Sequence, residues 1–403
     1  MSRQSYEENE SSMVSPRLSN FLRLLGYTKL RLKTLPWADF SFVPDCCGCA
    51  VKKLKREKPS KENGAVTLKE VAKHVGLTPG TVSAVLNNSA ASRSIPETTR
   101  QRILAAAREL KYRPNMLARS LRVQRTFTIG VILQEIGDAY GSVVVGGIEE
   151  VLSERDFFFL TVAHRHDKKL LQTYSDLLIS RGVEGFITVD TSIPEKPALP
   201  TVAVAGHKYV SDVTNITLDH RKAAEIALHH LKSLGHEKIA FLKGQFESSD
   251  SAVRWESICA VAQELNITIR PELVVQLEGK ESTPELGYPF GKQLLSRNVP
   301  FTALFAYNDI SAIGAMRAFQ EAGKRVPEDI SIVGFDDIDF ASFARPALTT
   351  VRQPLKKMGR IAAKTLLDWI EERAEYTPEI AIEPDLVIRN STAPAPPPKK
   401  AGY

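Results

Sequence analysis

Residues 66–88 read VTLKEVAKHVGLTPGTVSAVLNN, and this stretch decides the fold of the chain around it. Its apolar residues recur at helical spacing from Leu68 onward. Thr67 and Glu70 have the spacing of a capping box, which satisfies the free N–H groups at a helix start. Gly76 is suited to ending this helix, and Pro79 fits the first position of the next, where a missing N–H costs nothing. The stretch therefore predicts two short helices joined by a tight glycine turn.

A third helix is predicted downstream, with Ser94 and Glu97 capping its start around Pro96 and Pro114 stopping it. Its inward face is predicted to hold Ile103, Leu104, Ala107 and Leu110. Three short helices, the first two joined by a tight turn, describe a helix-turn-helix.

The second of these helices, predicted over 79–87, is the one that would enter the major groove of DNA, where base edges can be read. Short polar residues suited to phosphate and base contacts follow its start, and basic residues surround it. The polar candidates are Thr78, Thr81, Ser83 and Asn87. The basic candidates are Lys73, Arg93 and Arg100.

The charge distribution agrees with a nucleic-acid partner for this part of the chain. Residues 1–125 carry 23 Lys and Arg against 10 Asp and Glu, whereas residues 126–403 carry 30 against 37. A basic head on an acidic body indicates that the head meets a polyanion while the body has another task.

Other classes of protein are disfavoured by what the 403 residues lack. No apolar run approaches the roughly 18 residues that a membrane span needs, and the polar start MSRQSYEENESS resembles no secretion signal, so we expect a cytoplasmic protein. Cys46, Cys47, Cys49 and Cys259 do not form a disulfide framework or a paired zinc spacing, so free thiols are favoured over a metal site. We find no P-loop, dinucleotide fingerprint, serine elbow or HExxH motif, and we predict neither an enzyme nor a cofactor.

The body, residues 126–392, alternates apolar strands with helices, which is typical of parallel sheets in an α/β fold. Its length favours two stacked subdomains. Residues 1–65 are predicted to be a disordered extension, and the proline-rich residues 393–403 a disordered, unpacked tail. The strand candidates are 129–133, 157–162, 185–189, 201–204, 239–242, 303–307 and 330–335.

The head resembles the lactose/galactose-repressor (LacI/GalR) family. The resemblance rests on residues 66–88 and on 99–122, TRQRILAAARELKYRPNMLARSLR. It implies that the DNA-binding domain spans 66–122, with a hinge helix over 115–122 that opens at Asn115. In that family a hinge residue wedges into the minor groove, and this position falls on Leu121. Ala118 falls where the two hinge helices of a dimer lie close, and the alternative makes Leu121 a packed linker residue.

The head also departs from the family pattern. The family often has large polar side chains at the positions of Pro79 and Gly80, and usually arginine at that of Ala84. Because Gly80 and Ala84 have almost no reach, an arginine contact to guanine is excluded at Ala84. Readout must then lean on Thr81, on the hinge or on DNA shape.

The body resembles the same family's regulatory domain, which is similar to periplasmic sugar-binding proteins. The resemblance rests on 230–244, HLKSLGHEKIAFLKG, on 305–337 with its Asn-Asp and Gly-Phe-Asp-Asp motifs, and on 346–367, PALTTVRQPLKKMGRIAAKTLL. It implies two α/β lobes with a ligand cleft between them. The effector-binding residues it implies are Arg254, Asn308, Asp336 and, more weakly, Asp219. Tyr140, Trp255 and Phe340 are aromatics that either stack on a sugar or serve as packing residues.

These observations predict a multidomain transcription regulator, in which a small helix-turn-helix head precedes a two-lobed effector-binding and dimerisation domain. The expected partners are double-stranded DNA with a near-palindromic operator, a small effector, most plausibly a sugar, and a second copy of the chain, with a tetramer left open. The alternatives are a non-specific or architectural DNA-binding protein and a solute-binding sensor. The sequence leaves open whether the ligand releases DNA or promotes its binding.

Overall fold

The computed structural model describes residues 66–114, 120–121, 123–206, 209–246, 248–279, 283–373 and 376–397. The predictions made for residues 1–65, including Cys46, Cys47 and Cys49, lie outside these ranges, as do those for Asn115 and Ala118. Of the predicted hinge helix, Leu121 and the residue before it are described, and both are helical. Within the described ranges, no helix is long and apolar enough to cross a membrane.

The head contains the three predicted helices, α1 (Leu68–Val75), α2 (Pro79–Leu86) and α3 (Glu97–Glu109). The capping box of α1 is confirmed, since both reciprocal hydrogen bonds are present. Gly76 ends α1 at φ 65°, in the left-handed region that favours glycine. One fully buried side chain from each helix meets at the centre, namely Val71, Val82 and Ile103. This small core fixes the angle at which α2 is presented.

The predicted start of the third helix is wrong in detail. Pro96 is the residue before α3, and no side chain caps the helix there. The hydroxyl of Ser94 instead donates to the carbonyl of Ala91 at 2.9 Å, within a short 3₁₀ turn. Leu104, predicted to face inward, is 36% exposed, whereas Ala106 is buried. The buried face of α3 holds Ile103, Ala106 and Ala107, which confirms the prediction for Ile103 and Ala107 and corrects it for Leu104.

The first lobe is built on a parallel sheet with helices on both faces, as the alternating pattern predicts. Its order is β11-β5-β4-β3-β1-β2. Helices α4 (Ala139–Glu154) and α5 (Lys168–Ser180) follow its first two strands. Along β1 successive side chains enter separate apolar clusters, so both faces are buried. The strands are β1 (Thr128–Leu133), β2 (Phe158–Ala163), β3 (Phe186–Val189), β4 (Thr201–Val204), β5 (Val213–Leu218) and β11 (Glu379–Ile382).

The second lobe repeats this design, with the order β12-β10-β9-β8-β6-β7. All its neighbouring strands are parallel except for β12, which runs antiparallel to β10 at the sheet edge. The strands are β6 (Ile239–Lys243), β7 (Val274–Gln276), β8 (Ala303–Phe305), β9 (Ser331–Asp336), β10 (Thr349–Arg352) and β12 (Asp385–Val387). The helices are α6 (His220–Ser233), α7 (Ser251–Glu264), α8 (Gly287–Ser296), α9 (Asp309–Glu321) and α10 (Asp339–Phe343).

The chain crosses between the lobes at three places, at Asp219, at 353–354 and at 383–384. After the second crossing, α11 (Leu355–Ile370) returns to the first lobe and packs on α4. Gly147 of α4 permits this close approach, since a Cβ there would overlap the carbonyl of Lys356. The chain therefore passes between the lobes three times, in agreement with the two-lobed architecture that the resemblance implied.

A single carboxylate fixes the entry into the first lobe. Glu184 accepts hydrogen bonds from the N–H groups of Thr126 and Phe127, at 2.6 and 2.8 Å, and pairs with Arg125 at 2.7 Å. The segment that follows the hinge is thereby tied to the lobe from residue 125 onward.

The described part of the C-terminal tail corrects the prediction that it is unpacked. The N–H of Ala395 donates to the carbonyl of Leu234 at 2.8 Å. The carbonyl of Ala393 lies 3.0 Å from Nε2 of the buried His236, and its N–H donates to Ser331. These backbone groups have partners on the second lobe, so the chain is packed at least as far as Ala395.

Candidate functional site

The exposed start of α2 forms the first candidate site. Thr78 caps the helix, accepting from the N–H of Thr81 at 3.2 Å, and the two hydroxyls lie 2.9 Å apart. Thr78, Pro79 and Gly80 are all exposed, and α2 has no acidic residue in its first turn. Pro79 has no N–H and that of Thr81 is bonded to the cap, so the N–H of Gly80 is the donor that this helix start offers to a phosphate oxygen, with no competing carboxylate.

The end of the same helix positions a second group of predicted DNA contacts. The amide nitrogen of Asn87 donates to the carbonyl of Ser83 at 2.8 Å and to its hydroxyl at 3.1 Å. Ser83 is only 9% exposed, so its main contact is with Asn87 inside the head. Arg93 is exposed, and so is Thr67, whose hydroxyl is bonded to Glu70 at 3.0 Å. The exposed candidates are therefore spread from the cap of α1 to the turn after α2.

Leu121 is the most exposed apolar side chain near the head, at 83%, and nearby Val123 is 44% exposed. Leaving a leucine in water gives up roughly 2 kcal/mol of burial. Its exposure agrees with the predicted wedge position rather than with a packed linker residue.

A polar cavity of about 50 Å³ between the lobes is the second candidate site. It lies at the carboxyl ends of the parallel strands, where ligands bind in folds of this class. The first lobe contributes Gln134, Asp138, Tyr140 and Asp190 to its lining. The second lobe contributes Gln245, Ser248, Asp250, Arg254, Tyr307, Asn308 and Asp336. Drug-sized ligands occupy several hundred Å³, so the lobes must separate to admit one.

Arg254, on the first turns of α7, is the central cation of the cavity and is 4% exposed. One terminal nitrogen pairs with Asp250 at 2.9 Å, and the other donates to the carbonyl of Tyr307 at 2.6 Å. Its guanidinium carbon lies 3.7 Å from the centre of the Phe335 ring and 4.5 Å from that of Tyr307. The guanidinium is therefore held in place by both charge and ring contacts.

Three further carboxylates face the cavity without such a cation. Asp138 caps α4, accepting from the N–H of Gly141 at 3.0 Å, and Asp336 accepts from the amide of Gln353 at 2.6 Å. Burial raises the pKa of Asp138 and of Asp336 above the usual range of an aspartate. Burial, together with the charge of Asp250, raises the pKa of Asp190 to about 7.

Asp190 also bridges the lobes. Its carboxylate accepts from the hydroxyl of Ser249 at 2.8 Å and from the N–H of Ser249 at 3.2 Å, while the hydroxyl of Ser249 also contacts the carbonyl of Ala205. Asp190 and Ala205 belong to the first lobe and Ser249 to the second. The closed cleft is therefore held by hydrogen bonds that must break when the lobes separate.

Four of the predicted effector residues, Tyr140, Arg254, Asn308 and Asp336, line this cavity. The structure does not bring Asp219 and Trp255 to it, which corrects the prediction for both. Asp219 caps α6 by accepting from Lys222 at 2.8 Å. Trp255 packs edge-on against Phe241 and lies under the amine of Lys243. Phe340 also lies outside the lining and is 59% exposed.

Sequence reasoning missed most of the acidic lining, namely Asp138, Asp190 and Asp250. A signal existed for two of them. Asp190 directly follows a buried strand, and Asp250 precedes Arg254 by four residues, the spacing at which helical side chains meet. In the part of the chain that the structure describes, no group of three His, Cys, Asp or Glu side chains is arranged to hold a metal ion.

Comparison with known proteins agrees with this architecture. Residues 67–115 match the profile of the bacterial regulatory proteins of the lacI family, and residues 228–392 match a periplasmic binding protein-like domain. The chain is 32% identical over 339 residues to the HTH-type transcriptional repressor PurR of Yersinia enterocolitica, which covers 82% of this chain and 98% of that repressor.

Two solved structures are similar to this chain, the first over both the head and the body and the second over the body. The Lac repressor dimer bound to operator and the anti-inducer ONPF has a TM-score of 0.72 and 27% identity, and covers 82% of this chain and 100% of that one. A LacI family transcriptional regulator from Enterococcus faecium with bound ribose has a TM-score of 0.59 and 29% identity, with 66% and 99% covered.

Proposed function

The chain belongs to the lacI family of bacterial regulatory proteins, and we propose that two copies pair on a near-palindromic operator whose affinity depends on a metabolite in the cleft. The protein is a sequence-specific DNA-binding repressor under the control of a small ligand. One observation supports the proposed mechanism above all. The same chain presents an exposed, uncharged helix start on a basic head and a buried polar cavity between two lobes.

We propose that α2 lies in the major groove, with the N–H of Gly80 at its start on a phosphate and Thr81 at the base edges. The side chains of Thr67, Thr78, Asn87 and Arg93 border this surface and are proposed to position it, while Pro79 and Gly80 allow close approach. Leu121 is proposed to enter the minor groove, and Asn115 and Ala118 to belong to the same hinge. Because Gly80 and Ala84 lack reach, the bending of DNA by the hinge carries much of the specificity.

The metabolite is proposed to be a carbohydrate or a related compound, bound by Tyr140, Arg254, Asn308 and Asp336. Hydroxyl-rich ligands suit a lining in which carboxylates and a guanidinium offer acceptors and donors side by side. The Enterococcus faecium regulator with bound ribose supports this class.

Ligand binding is proposed to change the separation of the lobes and so the approach of the two hinges. Glu184 transmits this change, since it ties residues 125–127 to the first lobe. The linkage is reciprocal, so operator DNA must alter ligand affinity by the same factor. We propose a homodimer, as in the Lac repressor structure, with the tetramer as an alternative. The protein is proposed to act in the cytoplasm, where its operator lies, and to have no enzymatic step.

Selection of bound sites from random duplex DNA tests this proposal. Full-length protein is expected to enrich two inverted half-sites, and Leu121→Ala is expected to weaken binding to them about ten-fold while leaving non-specific affinity unchanged. Leu177→Ala, which changes an exposed leucine on α5 outside the cleft, is the matched control. Retention that depends on salt without any enriched sequence would favour the architectural alternative.

A further inference from the structure

The lining of the cleft holds far more acidic than basic side chains. Four carboxylates, those of Asp138, Asp190, Asp250 and Asp336, face one cavity of about 50 Å³ together with a single guanidinium, that of Arg254. Asp309 lies directly behind, fully buried, where it accepts from the hydroxyl of Thr350 at 2.6 Å and from a backbone N–H at 3.0 Å. The excess of acidic side chains therefore extends from the lining of the cleft to the residue directly behind it.

Arg254 offsets only part of this excess, because it brings one positive charge to four carboxylates and forms its ion pair with Asp250. Among the described residues, no ion pair includes Asp138, Asp190 or Asp336. Carboxylates buried without a cation are costly, since water no longer screens their repulsion. Protonation offsets this cost while the cleft is closed, and a ligand with a positive charge can replace those protons when it enters.

Two polar atoms of residues that line the cavity have no hydrogen-bond partner. Nε of Arg254 is buried and unbonded, and so is the hydroxyl of Tyr140. Arg254 as a whole is 4% exposed, so water does not easily replace the missing partner. An unbonded donor of this kind calls for an oxygen acceptor on the molecule that fills the cavity.

We infer that the effector is a small organic cation, an amine that also carries hydroxyl or other oxygen acceptors, as an amino sugar does. This inference rests on the proposed function, because it assumes that the cleft is the effector site. An ammonium group provides donors to several carboxylates, while the oxygen groups satisfy Arg254 and Tyr140. An anionic ligand would face repulsion from the lining, and a neutral sugar would leave the carboxylates uncompensated. A bare metal ion is disfavoured by the absence of a ligating cluster in the described residues.

The protonation of the cleft agrees with this assignment. Asp190 faces Asp250 and Asp138, and Asp336 faces Arg254, Asp309 and Asp138. Burial raises the pKa of Asp309 to about 7 as well, and the pKa values of Tyr140 and Tyr307 also lie above the usual range of tyrosine. His220 lies 3.6 Å from the same oxygen of Asp250 that pairs with Arg254. Protons thus stabilise the closed cleft, and an entering cation takes over their role.

The test uses full-length protein, its selected operator, and a deproteinised, desalted bacterial extract divided on ion-exchange resins into cationic, neutral and anionic fractions. Operator affinity is measured by fluorescence anisotropy with each fraction. We expect the cationic fraction to change the dissociation constant at least ten-fold and the others less than two-fold. A change produced by the neutral or anionic fraction would overturn the inference. If the operator binds specifically but no fraction acts, ligand control fails, and the inference fails with it.

Matched variants separate binding in the cleft from simple competition of cations with the protein for DNA. Asp138→Asn combined with Asp190→Asn is expected to abolish the response to the cationic fraction. Asp176→Asn, an exposed change on α5 outside the cavity, is expected to leave it intact. An unchanged response in the double variant would overturn the inference.

The response should also strengthen as pH rises from 6 to 8, because Asp190, with a pKa of about 7, becomes ionised over this range. The amount of cationic fraction needed for a half-maximal change is expected to fall about ten-fold. A response independent of pH, measured with the same anisotropy assay, would count against a cationic ligand.

Discussion

The DNA-binding surface and the cleft are built in opposite ways. The candidate contacts of the head, apart from the hinge, lie within residues 67–100, and several are held by hydrogen bonds between residues three or four apart. The lining of the cleft is drawn from residues 134–336, and its hydrogen bonds join residues up to 59 positions apart. The head is exposed and basic, whereas the cleft is buried and acidic. In the locally built head, the loss of one contact should leave the other contacts in place. In the cleft, which two lobes assemble, the loss of one contact should disturb the others.

Of the tests of this contrast, replacement of Arg254 by methionine has the largest expected effect on stability. The change removes the only guanidinium among the cleft carboxylates while keeping much of the side-chain volume, so it leaves buried charges unpaired. We expect the free energy of unfolding to fall by about 3–5 kcal/mol. Urea denaturation followed by circular dichroism measures it. Arg317→Met, which breaks an exposed pair with Glu321, is the control and should change little. Equal losses in the two variants would show that the cleft is not a coupled network.

Replacement of Glu184 by alanine tests the connection between the two regions. The change removes charge-assisted hydrogen bonds worth about 1.5–3 kcal/mol from the segment 125–127. We expect trypsin to cleave after Arg125 at least ten-fold faster, because this segment then opens more often. Glu195→Ala, an exposed change in the same lobe, is the control. Unchanged cleavage would mean that other contacts tie the hinge to the lobe.

Replacement of Thr78 by alanine has the smallest expected effect. It removes the cap of α2, which typically costs about 1 kcal/mol. Hydrogen exchange should show about five-fold lower protection in α2. Protection at the cleft should not change, because in the described part of the chain no hydrogen bond joins Thr78 to the cleft. Thr98→Ala, at an exposed position of α3, is the control. A change at the cleft would contradict the view that the head is held locally.

This contrast also explains what could be predicted from sequence. The three helices of the head, the capping box and the glycine turn follow from neighbouring residues, and the structure confirms them. The start of α3 was misjudged because Ser94 bonds within its own turn, an outcome that the spacing of Ser94 and Glu97 does not reveal.

In the body, the alternating pattern predicted the parallel lobes and seven of the strands. It missed β5, β7, β10, β11 and β12. Four of these are four residues long or shorter, and three of the four, β7, β11 and β12, lie at the ends of the two sheets. Strand β5 is a buried strand in which threonines and an asparagine obscure the apolar pattern. Short edge strands depend on their neighbours for stability, so little of their identity is local.

The cleft was predictable only in part. Arg254, Asn308 and Asp336 lie in motifs that the family resemblance could align. Asp138 and Asp190 meet them only because strands far apart in the chain end at one edge, on facing lobes. No spacing in the sequence indicates that these side chains lie close together, so the acidic character of the site could be seen only in the structure.

The threading of the chain through both lobes has a consequence for its synthesis on the ribosome. Strand β11, which completes the first sheet, and β12, which completes the second, both come from residues 379–387. The head can fold as soon as it emerges, but each lobe waits for this late segment. During every round of translation there is thus an interval in which a nascent chain has a finished DNA-binding head and an unfinished sensor. A chain that ended before residue 379 would keep the head but lack β11 of the first sheet and β12 of the second.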